Sequence, residues 1–203
     1  MMIDYDREIF NINIASKVSP QPGALLISEP FLREDYFRHS VISLIEYESG
    51  ATAMGVVMNH PTSYYLHSLI TGVTRKEHIP VYCGGPLSCD RLFFMHTLGP
   101  EIIPDSNEIT PGLYIGGDFS SMKQYVNTGY PLEGFIRFFI GYSGWSREQL
   151  DEELESKVWA VAECEDHHKL LTGAHDSYWH RYVKSLGTDF RGWLYHPHNP
   201  HCN

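Results

Sequence analysis

The sequence has few cysteines, no long apolar run and few basic residues. Its four cysteines, Cys83, Cys89, Cys164 and Cys202, include no C-x-x-C pair, so the spacing typical of a structural zinc site is absent. No stretch approaches the roughly 18 consecutive apolar residues that indicate a membrane-spanning helix. The acidic, polar start "MMIDYDREIF" lacks a signal-peptide pattern. We therefore predict a cytoplasmic protein with reduced thiols and no membrane contact.

The shortage of basic residues argues against direct binding of nucleic acids. The chain has 25 acidic and 15 basic residues and a net charge of −10, whereas proteins that bind phosphate backbones usually gather Lys and Arg on one face. We find no helix-turn-helix and no basic recognition helix. Gly84 and Gly85 are not followed by the Gly-Lys-Ser/Thr of a phosphate-binding loop. We predict no cofactor.

Apolar residues are sufficient for one folded domain. They make up 42% of 203 residues, and aromatic residues make up 13%. The pattern predicts an N-terminal arm over 1–22, a domain over 23–190 and a His-rich tail over 191–203. The tail contains His196, His198, His201 and Cys202, but a terminal, proline-rich segment is a poor scaffold for ligands, and we predict no metal site there.

Short apolar runs separated by turn residues predict more strands than helices. This mixture of hairpins and strand–helix–strand units favours an α+β domain over a doubly wound parallel sheet. The run "GFIRFFIGY" at 134–142 predicts a central strand, and 60–70 predicts a helix with Thr62 as its cap. The other predicted strands cover 24–28, 41–47, 52–59, 79–83, 91–96, 113–117 and 157–163.

Three turns rich in glycine or proline follow predicted strands: "MNHP", "CGGP" and "YSGW". Ligands tend to bind at the carboxyl ends of parallel strands. If the three strands run the same way, these turns converge on one cleft for a small anionic ligand or a protein partner. The candidate binding residues are Asn59, Gly84, Gly85, Asp90, Arg91, His96, Tyr142, Ser143, Gly144 and Trp145.

Each of these candidates also has a structural interpretation. Gly84 and Gly85 either present backbone N–H groups to an anion or allow a tight strand connection. Asp90 and Arg91 either hold a ligand or stabilise a turn. His96 is equally compatible with a buried, hydrogen-bonded histidine, and Trp145 with packing against the helix that follows it.

An enzyme is the alternative to a binding module. A hydrolase or transferase would use Cys83 or Ser143 as nucleophile with His96 as base. The sequence contains no hydrolase elbow and no cysteine-protease signature. A buried, unreactive Cys83 is the simpler interpretation. We therefore assign no catalytic residue, and the residues favour a binding or indirectly regulatory module.

Three ordered motifs resemble the bacterial YqgE/AlgH family. They are "GALLISEPFLREDYFRHSVISLIEYESGATAMGVVMNHP", "VYCGGPLSCDRLFFMH" and "GYSGWSREQLDEELESKVWAV", and together they span about Gly23 to Glu163. The matching positions are Gly23, Phe37, Gly55, Asn59, Pro61, Gly84, Gly85, Pro86, His96, Gly141, Tyr142, Gly144, Trp145, Gln149 and Leu150.

The resemblance implies a compact α+β fold with a partly closed mixed sheet. It supplies no established catalytic residues, and one branch of the family is named as a transcriptional regulator of alginate production. Ser143 departs from the small alanine common at its position. The acidic arm and the His-rich tail also depart from the family pattern, so no role of either end is carried over.

Overall fold

Ten strands, five α-helices and one 3-10 helix make up the computed structural model, which describes residues 14, 16, 18–32, 34 and 36–195. The strands are β1 (Leu25–Ser28), β2 (Val41–Glu46), β3 (Ala53–Val57), β4 (Pro61–Tyr65), β5 (Pro80–Cys83), β6 (Leu87–His96), β7 (Asn107–Thr110), β8 (Leu113–Ile115), β9 (Ile136–Trp145) and β10 (Trp159–Ala162). The helices are α1 (Leu66–Leu69), α2 (Phe119–Asn127), α3 (Gln149–Glu155), α4 (His167–Leu170), α5 (His175–Ser185) and the 3-10 helix Thr188–Tyr195.

The sheet runs in the order β10-β1-β2-β3-β9-β6-β8-β7, with antiparallel neighbours. The pair β4–β5 joins it through a parallel pairing of β5 with β9. The sheet curls, which brings Gly23, two residues before β1, against Thr110 at the end of β7. The result is a half-barrel α+β domain with a mixed sheet, which confirms the predicted fold class.

Strand β9 is the centre of the molecule. It pairs with β6 along one edge, while β5 and then β3 pair with successive halves of the other edge. Phe139 packs in the core beneath α5, and Phe138 packs in the core beneath α2. Both faces of β9 are therefore buried, and β9 is the central strand that the apolar segment at 134–142 predicted.

A third core lies beneath α3, where Trp145 and Leu150 pack with Trp159 of β10. Strands β1, β2 and β10 contribute alternate residues to this core and to the core beneath α5. This period of two is the usual arrangement for a sheet that is covered on both faces.

The predicted helix at 60–70 is wrong for most of its length. Residues 61–65 form β4, and only Leu66–Leu69 are helical. The Thr62 hydroxyl does not cap a helix; it donates to the Val81 carbonyl of β5 at 2.7 Å. Pairing with β5 stabilises the extended conformation of this Thr- and Tyr-containing segment, which overrides the helical spacing of its apolar residues.

The two ends of the chain lie mostly outside the described residues. Of the predicted tail over 191–203, only residues 191–195 are described; the four possible ligands His196, His198, His201 and Cys202 lie outside the described residues, and so does most of the arm over 1–22. The boundaries at 22 and 190 stay predictions. Within the described part of the chain, no helix is long and apolar enough to cross a membrane.

Candidate functional site

The segment Gly84–Pro86 carries the chain from one edge of β9 to the other. Strand β5 lies on one edge and β6 on the opposite edge, so the chain must cross β9 between them. A Cβ atom at Gly84 would lie 2.3 Å from the Gly141 carbonyl oxygen, and one at Gly85 would lie 2.3 Å from the Tyr142 carbonyl carbon. A Cβ atom at Gly141 would lie 2.5 Å from the carbonyl oxygen of Gly85 and 2.8 Å from that of Leu87. We call Gly84, Gly85 and Gly141 the glycine crossing.

The backbone groups of Gly84 are engaged within the protein. Its N–H donates to the Ile140 carbonyl at 2.9 Å, and its carbonyl accepts from the Val57 N–H at 2.9 Å. The buried Ser143 hydroxyl donates to the same carbonyl at 3.0 Å. The N–H and carbonyl groups of Gly84 are therefore used within the fold, as its interpretation as part of a tight strand connection requires.

An exposed loop emerges from the crossing, and we call residues 86–91 the crossing loop. Leu87 lies opposite Tyr142 and Leu92 opposite Ile140, so Ser88–Arg91 bulge out across from Gly141 alone. Asp90 and Arg91 are exposed, and within the described part of the chain neither takes part in an ion pair. The side chain of Leu87 is 42% exposed and leans over Gly144.

Asn59 is a buried hydrogen-bond centre. Its Oδ1 accepts from the Val41 N–H at 2.9 Å, and its Nδ2 donates to the carbonyls of His39 at 2.8 Å and His175 at 3.3 Å. Its own carbonyl accepts from the His175 N–H at 2.7 Å. His39 and His175 both have positive φ angles. We call this set the Asn59 clasp; it joins β2, the end of β3 and the start of α5.

His96 is also engaged, at the far end of β6. Its Nε2 donates to the Gly116 carbonyl at 3.1 Å, its Nδ1 accepts from the Leu98 N–H at 3.3 Å, and its ring stacks on Tyr114. Burial lowers the pKa of His96, and the bond to the Gly116 carbonyl only partly opposes that effect. This environment keeps the imidazole neutral with both nitrogens in use.

The remaining aromatic candidates pack inside the fold. Tyr142 makes an edge-to-face contact with Phe93 at 5.9 Å. Trp145 is the last residue of β9; its Nε1 donates to Glu153 of α3 at 2.8 Å, and its ring lies edge-on to Trp159. Trp145 therefore links β9 to the helix that follows it, as its structural interpretation predicted.

The structure separates the possible nucleophiles from the possible base. His96 lies opposite Ile136 of β9 and Cys83 opposite Ile140, a spacing of about 13 Å along the strand. Ser143 is farther along the same strand, at about 23 Å from the level of His96. Burial raises the pKa of the Cys83 thiol. Neither Cys83 nor Ser143 shares a hydrogen bond with His96 in the described structure.

Two arginines near α5 were not among the predicted site residues. Arg137 is 4% exposed, its guanidinium lies 4.3 Å from the Tyr82 ring centroid, and it donates to the carbonyls of Met58 and Gly173. Arg181 stacks on Tyr178 at 4.5 Å. An arginine within the apolar run "FIRFFI" is the signal that would have identified Arg137.

A cavity of about 400 Å³ lies between the end of β10 and α5. Its lining combines aromatic and apolar side chains with the cationic groups of Lys169 and Arg181 and with three carboxylates. Lys169 pairs with one of these, Asp166, at 3.4 Å. A cavity of this size can hold a small molecule. None of the predicted binding residues lines it.

Comparison with known families gives one match that spans most of the chain. A family described as AlgH-like (DUF179) matches residues 25–191. A UPF0301 protein of Parabacteroides distasonis is 40% identical over 197 residues, which cover 97% of this chain and 98% of that protein. A UPF0301 protein of Bacteroides thetaiotaomicron is 38% identical over 202 residues, covering 99% of this chain and all of that protein.

Two solved structures share the fold. A crystal structure of a Corynebacterium diphtheriae protein superposes with a TM-score of 0.71 at 21% identity and covers 95% of this chain and 98% of that one. The solution structure of the AlgH protein from Pseudomonas aeruginosa gives a TM-score of 0.67 at 22% identity, over 90% of this chain and 98% of that one. At these identities the similarity concerns the fold alone.

Proposed function

The chain belongs to the AlgH-like family, and we propose that it is a cytoplasmic binding protein that regulates indirectly, by docking a protein partner on the crossing loop. The predicted binding set divides into two roles in this proposal. Asp90 and Arg91 contact the partner, while Gly84, Gly85, Ser143 and Gly144 hold the loop in place. The free thiols of Cys83, Cys89 and Cys164 support a reducing compartment.

The observation that carries the proposal is the contrast between the base of the loop and its tip. The base is fixed by backbone packed on backbone at Gly84 and Gly85. The tip presents one acidic and one basic side chain, Asp90 and Arg91, with the half-exposed Leu87 beside them. Because the base is fixed, the tip is presented at a constant place on the surface, and loops positioned by a rigid scaffold are common binding sites.

Site-specific photo-crosslinking in living cells tests the proposal. A benzophenone amino acid at Leu87 should capture a defined protein, whereas the same probe at Tyr130, which is 60% exposed, should not. The charge-swapped variant Asp90→Arg/Arg91→Glu keeps the net charge of the loop but exchanges the positions of its acidic and basic side chains. It should abolish capture at Leu87 and change the free energy of unfolding by less than about 0.5 kcal/mol.

The captured protein is then purified and titrated against the native chain by calorimetry. Binding that is lost in the charge-swapped variant supports the proposal. Equal capture from Leu87 and Tyr130, or unchanged binding by the swapped variant, rejects the loop as the docking site.

The cavity near α5 favours a second candidate function, the binding of a small anionic ligand. Arg181 and Lys169 supply positive charge, Tyr182 and Phe190 supply apolar surface, and an anion must compete with Asp166 for Lys169 in a lining that also holds Glu163 and Glu165. Thermal shift with inorganic phosphate, citrate and a set of nucleotides tests this candidate. An increase in Tm that disappears in Lys169→Ala supports it, and no increase with any of these anions rejects it.

Catalysis and direct DNA binding are the remaining alternatives. A hydrolase or transferase is opposed by the separation of His96 from Cys83 and Ser143, and activity lost in Cys83→Ser or Ser143→Ala would revive it. Direct regulation on DNA is opposed by the net charge of −10. A mobility shift of duplex DNA at low salt, weakening steeply as salt rises, would replace the partner proposal.

A further inference from the structure

Two thiols meet at one carbonyl oxygen in the glycine crossing. The Cys83 Sγ lies 3.9 Å and the Cys89 Sγ 3.7 Å from the carbonyl oxygen of Gly85. Cys89 also lies 3.3 Å from the Pro86 carbonyl oxygen. Cys83 ends β5 and Cys89 lies in the crossing loop, and the fold places both sulfur atoms within 4 Å of the same backbone oxygen.

The part of the loop that carries Cys89 can adjust without disturbing the sheet, whereas Gly84 and Gly85 are fixed against β9. Ser88–Arg91 bulge outward opposite the single residue Gly141, so this part of β6 is outside the regular pairing. Gly141 has no side chain, which leaves open space beside the Cys89 sulfur. A Cβ atom on Gly141 would lie 3.5 Å from that sulfur. A sulfur–sulfur bond needs the two cysteines close together with freedom to turn their side chains, and this loop supplies that freedom.

The two thiols differ in access. Cys89 is exposed, whereas Cys83 is only half-exposed and burial raises the pKa of its thiol. An oxidant from solution therefore meets Cys89 first. Cys83, protected from solution but next to Cys89, suits the second step, in which a neighbouring thiol resolves an oxidised cysteine.

We propose that Cys83 and Cys89 form a reversible disulfide when a hydroperoxide reaches the crossing loop. The Cys89 sulfur attacks the O–O bond of hydrogen peroxide, which gives a sulfenic acid on Cys89 and releases one water. The Cys83 sulfur then attacks the Cys89 sulfur, and the departing hydroxide takes the Cys83 proton and leaves as a second water. Two thiols lose two electrons in all, and one peroxide gains them.

The disulfide would tie the crossing loop to the end of β5 and change the direction of its exposed residues. The ring closed by the bond includes Gly84, Gly85, Pro86, Leu87 and Ser88, and Asp90 follows it directly. The site is thus a modification site by itself, whether or not the loop docks a partner.

Peptide mapping of the full-length protein tests the proposal. No Lys or Arg lies between the two cysteines, so both fall in the tryptic peptide Glu77–Arg91. After treatment with hydrogen peroxide, unfolding and alkylation of free thiols, this peptide should be lighter by two hydrogen atoms and carry no alkyl group. Incubation with dithiothreitol before alkylation should restore both alkylated cysteines. The peptide containing Cys164 is the internal control, because burial raises the pKa of that thiol to about 11 and it should remain reduced.

Single variants separate the two steps. Cys83→Ser should stop at a sulfenic acid on Cys89, which dimedone traps, and Cys89→Ser should leave Cys83 reduced under the same treatment. A native peptide that is alkylated at both cysteines after peroxide overturns the proposal. So does a link from Cys89 to Cys164 or Cys202, or further oxidation of Cys89 without any link to Cys83.

Discussion

The glycine crossing and the Asn59 clasp both hold separate segments of backbone together, but the first does so without side chains and the second through one side chain. At the crossing, three residues without side chains let one segment of backbone pass directly over another. At the clasp, one side chain satisfies three backbone groups that come from distant parts of the chain. The comparison shows that the backbone groups of Gly84 and the side chain of Asn59 are already used in hydrogen bonds within the protein. Binding residues are therefore better sought beside these motifs than within them.

Substitution at the crossing should give the largest loss of stability. A methyl group at Gly84 would meet the Gly141 carbonyl oxygen, and the main chain of β9 cannot rotate away as a side chain can. We expect Gly84→Ala to lower the free energy of unfolding by about 3 kcal/mol or more. Gly85→Ala should cost at least as much, since its φ angle of 150° adds strain to the contact. Urea unfolding of both variants measures the loss.

Gly129→Ala is the matched control for this experiment. Gly129 has a positive φ angle of 84°, but nothing lies within 4 Å of the added carbon. Its cost should be limited to about 1 kcal/mol of backbone strain. If Gly84→Ala costs no more than Gly129→Ala, the close packing assigned to the crossing is incorrect.

Removal of the clasp should cost less than overpacking the crossing. In Asn59→Ala the Val41 N–H loses its side-chain acceptor and the His39 carbonyl loses its side-chain donor, both in a buried region. We expect a loss of about 2–3 kcal/mol in the free energy of unfolding. Asn59→Asp keeps the acceptor but places a carboxylate next to two carbonyl oxygens, so it should not rescue stability. A variant with Asp that is as stable as the native chain would contradict this account of the clasp.

The smallest expected effect is the pH dependence of stability that comes from His60, the residue next to Asn59. Burial lowers the pKa of His60, outweighing the carbonyls of Arg38 and His39 and the charge of Asp176, which raise it; His175 also lowers it. Folding thus favours the neutral ring. The stability from this group is complete above the unfolded pKa of about 6.5 and decreases as pH falls from there toward the lower pKa of the folded state.

Urea unfolding at about pH 7.5 and about pH 5.5 measures this dependence. The native chain should be less stable at the lower pH, and His60→Gln should reduce the difference. Burial also lowers the pKa of His96 at the other end of the sheet, so His96 too makes the protein less stable at low pH. The contribution of His60 is therefore the part of the pH effect that His60→Gln removes. Gly84→Ala should lower stability equally at both pH values, since it changes no titratable group. A pH effect of the same size in native and His60→Gln proteins would remove His60 as its source.

Much of the fold was predictable because it depends on local patterns. The apolar run that contains Phe138 and Phe139 predicted a central strand, and β9 is that strand, with one of these rings in each of two cores. The segment around Thr62 shows the limit of such reasoning. Its apolar spacing suits a helix, but its partner β5 begins about fifteen residues later, and pairing decides its conformation.

The candidate site was less predictable because its chemistry depends on partners far along the chain. The polar or small character of Asn59, Gly84 and Ser143 is visible in the sequence, yet Asn59 reaches a carbonyl 116 residues away. The cavity beside Arg181 was missed because its lining comes from separate segments with no shared motif.

By itself, the sequence determined the α+β class, the central strand and the family, since periodicity, turn residues and ordered motifs are local properties of the chain. It also marked Gly84 and Gly85 as a backbone requirement. Only the tertiary structure decided that β9, which begins 53 residues after Cys83, lies between β5 and β6. Because β9 lies between these two strands, the segment that connects them must cross it, and Cys83 and Cys89 both approach the carbonyl oxygen of Gly85. Hydrophobic patterning defines which face of a strand is buried, but strand order depends on which distant edges meet.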